Sequence, residues 1–258
     1  MSERPVMPRP RTSASKKPLL ISAGVALAAV TLGLLSWQAS APSEEDGAVH
    51  QGASAPSSQA SGAAGAAESE ADAALAQLRG LARREAGDKQ AVGRPDAPVV
   101  LIEYADYKCG YCGKFARDTE PGLVEKYVAD GTLRIEWRNF PIFGSESEAA
   151  ARAAWAAGQQ DRFRQFHSAA YAEGAKAKGF GPDRLRELAK EAGVPDLDRF
   201  EKDMDGQAAK AAVARDQEEG YRIGVSSTPS FLVNGRPIAG AMPTAEFEAA
   251  IEKAKAAG

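Results

Sequence analysis

The chain has only two cysteines and two histidines in 258 residues. A structural zinc site needs two ligands beyond the cysteine pair, yet His50 lies in a low-complexity stretch and His167 stands alone in the helical run Phe163-Arg164-Gln165-Phe166-His167. No metal site is therefore expected, and His167 reads as a packed or surface helix residue. A basic excess is also lacking: 32 Lys and Arg against 35 Asp and Glu leave a net charge of -3, and beyond the N-terminus the basic residues are interspersed with acids. That excludes the electrostatic footprint of a nucleic-acid binder. Internal repeats are missing as well.

Charge is wholly absent from residues 19–37, a run of Leu, Ile, Val, Ala, Gly, Ser and Thr that ends in Trp37. Such a stretch is just long enough to span a bilayer. Arg4, Arg9, Arg11, Lys16 and Lys17 precede it against the single acid Glu3, so the positive-inside rule keeps residues 1–18 cytoplasmic and exports the chain beyond Trp37. The expectation is a single-pass signal anchor in the cell membrane with the folded part of the chain on the extracytoplasmic side. Cleavage after Ala39-Ser40-Ala41 is the competing reading, weakened by the length of the apolar run and by Pro42.

Residues 38–70 are Ser, Ala, Gly, Pro and Gln with a few acids, and no apolar period, which predicts a flexible linker. Leu75, Leu78 and Leu81 suggest a short helix or spacer over 71–91, and the folded domain is expected over 92–258. Within it, Val99-Val100-Leu101-Ile102-Glu103-Tyr104-Ala105 reads as a strand, and a helix follows Cys109 with a break near Pro121. Residues 133–137 alternate as a second strand, and 145–222 are helical, with room for about four or five helices. Ser230-Phe231-Leu232-Val233, Asn234-Gly235 and Arg236-Pro237-Ile238 form a hairpin signal, and Thr244 opens a last helix. The order is that of an α/β fold carrying one large helical insertion.

Cys109-Gly110-Tyr111-Cys112 directly follows the first strand. A disulfide over two intervening residues closes almost no loop, so its value is chemical and not structural. A helix starting at Cys109 aims unpaired N–H groups and the positive end of its dipole at that sulfur, favouring the thiolate. Cys109 is thus expected as the exposed attacking thiol and Cys112, one turn inside, as the buried resolving thiol.

Glu103 to Cys112, taken with Gly224-Val225-Ser226-Ser227-Thr228-Pro229-Ser230-Phe231-Leu232-Val233-Asn234-Gly235, resembles the thioredoxin superfamily and, within it, the exported DsbA-like thiol-disulfide oxidoreductases, over about residues 92 to 257. The resemblance implies a thioredoxin fold with the helical insertion, about 145–222, between the second strand and the cis-proline hairpin. It implies a cis Thr228-Pro229 bond facing the cysteines, with the backbone of Thr228 open to an extended substrate. It also implies that Glu103 lies beneath the disulfide and moves the proton of the second thiol. A carboxyl buried in an apolar core has a raised pKa suited to that exchange, although a solvent-facing Glu103 on a half-exposed strand is the plain alternative.

Gly110 and Tyr111 stand where strongly oxidising relatives commonly carry Pro-His, so a less extreme potential is expected. Lys108 is either a cation acting on the thiol or an ordinary exposed lysine. Tyr104, Tyr107, Phe115, Trp137 and Trp155 read most simply as packing residues. The expected function is formation of disulfides in exported proteins through a Cys109 mixed disulfide resolved by Cys112, with no cofactor beyond the Cys109-Cys112 pair. The expected partners are reduced or unfolded exported proteins and a membrane redox protein, and the chain is expected to be a monomer. Isomerase or reductase is the alternative; a copper-binding thiol chaperone and a redox-independent holdase are more remote.

Overall fold

The computed structural model describes residues 58–257. The basic segment, the predicted membrane span at 19–37 and the first part of the predicted linker lie outside the described residues. Among the described residues no helix is long and apolar enough to cross a membrane.

The first described element corrects the linker expectation. Helix α1 runs from Ser58 to Arg79, so the end of the stretch read as tether is helical. The segment has no strong apolar period, but alanine and glutamate favour helix without one. The domain boundary expected at 92 also falls too late. Strand β1, Ala91–Val92, pairs antiparallel with β3, Leu133–Asn139, and Trp137 N donates to Gln90 O at 3.1 Å.

Strand β2, Val99–Ala105, lies parallel to β3 and antiparallel to β4, Ser230–Val233, which turns through Asn234-Gly235 into β5, Arg236–Ala239. Both turn residues have positive φ, 44° and 82°, the geometry that an Asn-Gly hairpin supplies without strain. The sheet order β1-β3-β2-β4-β5 puts β2 at the centre. All seven of its residues are buried, because both faces are covered. Val99 and Leu101 meet Phe115, Leu123, Phe231, Phe247 and Ile251, whereas Val100, Ile102 and Tyr104 meet Leu78, Leu81, Phe140 and Leu232.

After β2 come α2, Gly110–Asp118, and α3, Glu120–Leu123. The break at Thr119 places Pro121 in the first turn of α3, where its missing N–H costs nothing. Between β3 and β4 five α-helices occupy the predicted insertion: α4, Ser145–Gly158; α5, Phe163–Ala170; α6, Pro182–Glu191; α7, Leu197–Asp205; and α8, Gln207–Arg222. Helix α9, Thr244–Ala256, closes the described fold. This is the thioredoxin arrangement with a helical insertion that the resemblance implies. Gly220 lets α8 lie against the sheet, since a Cβ there would stand 2.6 Å from the Phe140 ring.

Strand β3 departs from its simple alternation, because its polar face is buried too. Glu136 accepts from the amides of Arg83 and Arg84 at 2.9 and 2.8 Å, from Arg134 Nε at 2.8 Å and from Arg138 Nη2 at 2.9 Å. Arg138 Nε reaches Glu219 on α8 at 2.8 Å, and Arg83 pairs with Asp216 on the same helix. The network ties the segment after α1 and helix α8 to the sheet. Burial alone would raise the Glu136 pKa, but Arg134, Arg138 and the two amides hold it at about 2.

Removing one member of such a buried ionic network strands the others. Glu136→Ala is expected to cost about 3–5 kcal/mol in urea unfolding of the reduced protein; a loss under about 1 kcal/mol would show that the network contributes little. Because the folded pKa of Glu136 is depressed, its contribution is fully present above the ordinary value of 4.5 and is lost as pH falls through about 2.

Candidate functional site

The site is built at the end of β2, and Asp106 shapes it. Its buried carboxyl accepts from Lys108 N at 2.7 Å, Ile142 N at 2.7 Å, Phe143 N at 3.2 Å and Ser147 Oγ at 2.8 Å. Its carbonyl accepts from Cys109 N at 3.0 Å and from the Tyr171 hydroxyl at 2.9 Å. One residue thereby fixes the turn into α2, the start of the insertion and a tyrosine from beyond α5. Only its place three residues before Cys109, as a turn-forming side chain, gave a sequence signal for it.

Cys109 caps α2 with extended backbone, φ -75° and ψ 120°, and its sulfur accepts from Cys112 N at 3.4 Å. The expected exposure is corrected: the residue is only 5 % exposed, tucked beneath the Thr228 carbonyl, to which its thiol donates at 3.2 Å. The Cys112 thiol is the largest influence lowering the Cys109 pKa. Burial opposes it, but the Thr228 side chain and the amides of Cys112 and Tyr111 help carry the value from 9.0 down to about 6. Cys112 is fully buried, and burial first, then its bond to Cys109 and the charges of Cys109 and Glu103, push its thiol well above 9.0. The two thiols are thus set far apart.

Glu103 is buried, 2 % exposed, so the solvent-facing alternative fails. Its Oε1 has no hydrogen-bond partner among the described residues. Burial, then the charges of Glu120 and Cys109, raise its carboxyl well above 4.5. The Thr228-Pro229 bond is cis, and Pro229 is buried at the opening of β4. The Thr228 carbonyl accepts from the Cys109 thiol, which brings the cis-proline loop onto the cysteine pair.

Gly110 and Tyr111 lie on the surface, Tyr111 at 68 % exposure. The insertion brings Lys176 over this corner, its Nζ 3.7 Å from where a Gly110 Cβ would stand. Lys108 instead pairs with Glu146 at 2.9 Å. Phe143 and Met242 are exposed beside the site, Phe143 through its amide on Asp106 and Met242 through Gly240, which donates to Pro229 O. Tyr104, Tyr107, Phe115 and Trp137 are core. His167 is packed, as its isolation suggested, but it bonds Glu120, and nothing local in the sequence linked those two residues. Among the described residues no group of three or more His, Cys, Asp or Glu side chains is placed to hold a metal ion.

A family model described as thioredoxin matches residues 85–253. A relative from Bacillus cereus, named probable disulfide bond formation protein D, is 31% identical over 153 residues, 57% of this chain and 70% of that protein. A thioredoxin-like oxidoreductase from Silicibacter pomeroyi superposes with a TM-score of 0.58 at 30% identity, covering 65% of this chain and 92% of that one. The oxidised form of BdbD from Bacillus subtilis gives 0.61 at 25% identity, over 66% of this chain and 94% of its own.

In the reduced protein, the rate of Cys109 alkylation by iodoacetamide is expected to rise with a midpoint at about pH 6. Because the Cys112 thiol lowers that value most, Cys112→Ala is expected to move the midpoint up toward 9.0. An unmoved midpoint would assign the effect to the helix terminus alone.

Proposed function

The chain belongs to the thioredoxin family and is a thiol-disulfide oxidoreductase, and from that premise we propose that it forms disulfides in exported proteins through Cys109. The observation that carries this reading is the asymmetry of the pair: Cys109 held at about 6 at a helix cap, Cys112 sealed and pushed upward. A stabilised thiolate stabilises the reduced form, and a pair whose reduced form is stabilised is an oxidant. The name of the Bacillus cereus relative supports the same direction.

In the forward half-reaction a substrate thiolate attacks Cys109 Sγ of the disulfide. The Cys109–Cys112 bond breaks, its electron pair leaves on Cys112 Sγ, and the Glu103 carboxyl supplies a proton to that sulfur. A second substrate thiolate then attacks the substrate sulfur of the mixed disulfide, forming the substrate disulfide and releasing Cys109 as thiolate. Two electrons have passed to the pair. In the return half-reaction Cys109 attacks a disulfide of a membrane redox partner, Cys112 gives its proton back to Glu103, and the Cys112 thiolate resolves the mixed disulfide. The pair is oxidised again and the partner carries both electrons as a dithiol. No cofactor enters either half.

Tyr111, Phe143 and Met242 are exposed, and on this reading they are the apolar side chains that receive unfolded chains. On this reading the catalytic unit, which includes β1 and the segment from 71 that packs on the sheet, works as a monomer outside the cytoplasm, held by a single-pass anchor at 19–37 and the chain after it. The support for the anchor is the uncharged run and the basic residues ahead of it. Isomerase or reductase is the second reading, favoured by Gly110-Tyr111 between the cysteines.

Equilibration of the full chain in glutathione buffers separates the two. A potential between about -120 and -150 mV is expected, and about -200 mV or lower would move the assignment to a pair kept reduced by its partner. Cys109→Ser is expected to abolish oxidation of a reduced unfolded substrate, and Glu103→Gln to slow it by at least about tenfold with the fold intact. Unchanged kinetics in Glu103→Gln across the pH range would remove Glu103 from the mechanism.

A further inference from the structure

Glu103 is sealed from solvent, and the forward half-reaction leaves it as a buried carboxylate, the form that its burial disfavours, so between the half-reactions it must regain a proton and then lose it again before it can accept the one on Cys112. The side chains around it supply an exit. A cavity of about 10 Å³, on the scale of one water molecule, is lined by Glu103, Glu120, Arg164, His167, Gln90 and Trp137 together with apolar neighbours. Its polar wall offers the two to four partners that a buried water needs.

Glu120 is turned inward by the break between α2 and α3 and is 6 % exposed. Its Oε2 meets His167 Nε2 at 3.2 Å, and its Oε1 accepts from Arg164 Nη1 at 3.1 Å. The His167 Nδ1 lies 3.4 Å from the Tyr107 hydroxyl. Arg164 stands one turn before His167 on α5, and its side chain is 43 % exposed, so the series ends at solvent. Burying a second acid on the same cavity as Glu103 is costly, and packing alone gives no reason for it.

We propose that Glu120, held by His167 and Arg164, is the proton relay between Glu103 and solvent. The inference rests on Glu103 serving Cys112, as in the proposed function. When Glu103 gives its proton to the departing Cys112 sulfur, the Glu120 carboxylate takes a proton from solvent at the Arg164 end and passes it across the cavity to the Glu103 carboxylate, returning to its own ionised state. On re-oxidation the proton of Cys112 leaves by the same series in reverse. The groups facing Glu103 are Cys109 and Cys112 from α2, Glu120 from α3, Tyr107 from the turn after β2, and His167 and Tyr171 from α5 and its end, with Arg164 at the outer edge. Among them Glu120 is lowered: burial would raise it, but the charge and bond of His167 and those of Arg164 prevail. Glu103 is raised, so two carboxyls on one cavity are driven apart into an acid and a base.

The test uses the full chain and two rates measured across pH. Alkylation of Cys109 in the reduced protein by iodoacetamide depends on the Cys109 thiolate alone. Reduction of the oxidised protein by dithiothreitol requires a proton to reach Cys112. Glu120→Gln is expected to leave the first rate unchanged and to slow the second by at least about tenfold near neutral pH. It is also expected to move the midpoint of the second profile to lower pH, because Glu103 then ionises without a neighbouring charge. Added to Glu103→Gln, it is expected to have no further effect. An unmoved profile, or a slowing that multiplies with that of Glu103→Gln, overturns the relay and leaves the proposed function standing. A Cys109 that is unreactive in the unaltered chain overturns both. Should Glu120→Gln not fold, the surface variant Arg164→Gln carries the test: a slower reduction with Cys109 alkylation unchanged supports the relay, and an unchanged profile overturns it.

Discussion

Burial of the central strand on both faces is the constraint on which the site depends. A strand covered on both sides leaves no water for a polar group, so each one on it or just beyond it must be paired or neutralised. Two acids three residues apart meet this demand in opposite ways. Asp106 finds four donors, and its carbonyl accepts two more, so it serves as a rigid fixture for the turn that carries Cys109. Glu103 has no partner on Oε1 among the described residues and is driven toward its neutral form, the state in which the proposed mechanism needs it. Position and chemistry are thereby divided between two residues of the same type of charge.

The cysteines repeat that division. Cys109 sits where amide N–H groups and a thiol donor converge, and its anion is welcome there although the residue is nearly covered. At Cys112 burial outweighs the one favourable backbone contact, from Asp106, and decides its state. The difference arises from one helical turn of displacement along α2. The stabilisation of the Cys109 thiolate is lost when the disulfide forms, so it favours the reduced pair and raises the potential of the disulfide.

The insertion does more than cover the site. Through Tyr171 it braces the active-site turn, through Lys176 it brings a cation over Gly110, and through Arg164 and His167 it pairs with Glu120 on the other side of Glu103. Its last helix, α8, is held by a buried ionic network that also holds the chain leaving α1. Alanines 150, 151, 153, 154, 156 and 157 on α4 are all buried, and their small side chains permit the close helix packing that keeps these groups in place.

The features legible in the sequence were local. Continuous apolar residues marked β2, the cysteine spacing marked a capped helix, Pro121 marked its break, Asn234-Gly235 marked the hairpin, and the charge-free run at 19–37 marked the candidate anchor. Each of these signals rests on interactions within a few residues, where backbone sterics and periodicity suffice. Composition misled at 58–70, where small residues suggested a tether and alanine's own helix preference prevailed. Burial of the Arg134-Glu136-Arg138 face, the covering of Cys109 by Thr228, the role of Asp106 and the meeting of Glu120 with His167 were decided only by the tertiary structure. Those contacts join residues far apart in the chain, and a titratable side chain takes its character from whatever the fold brings within reach of it and from how much water the fold leaves there.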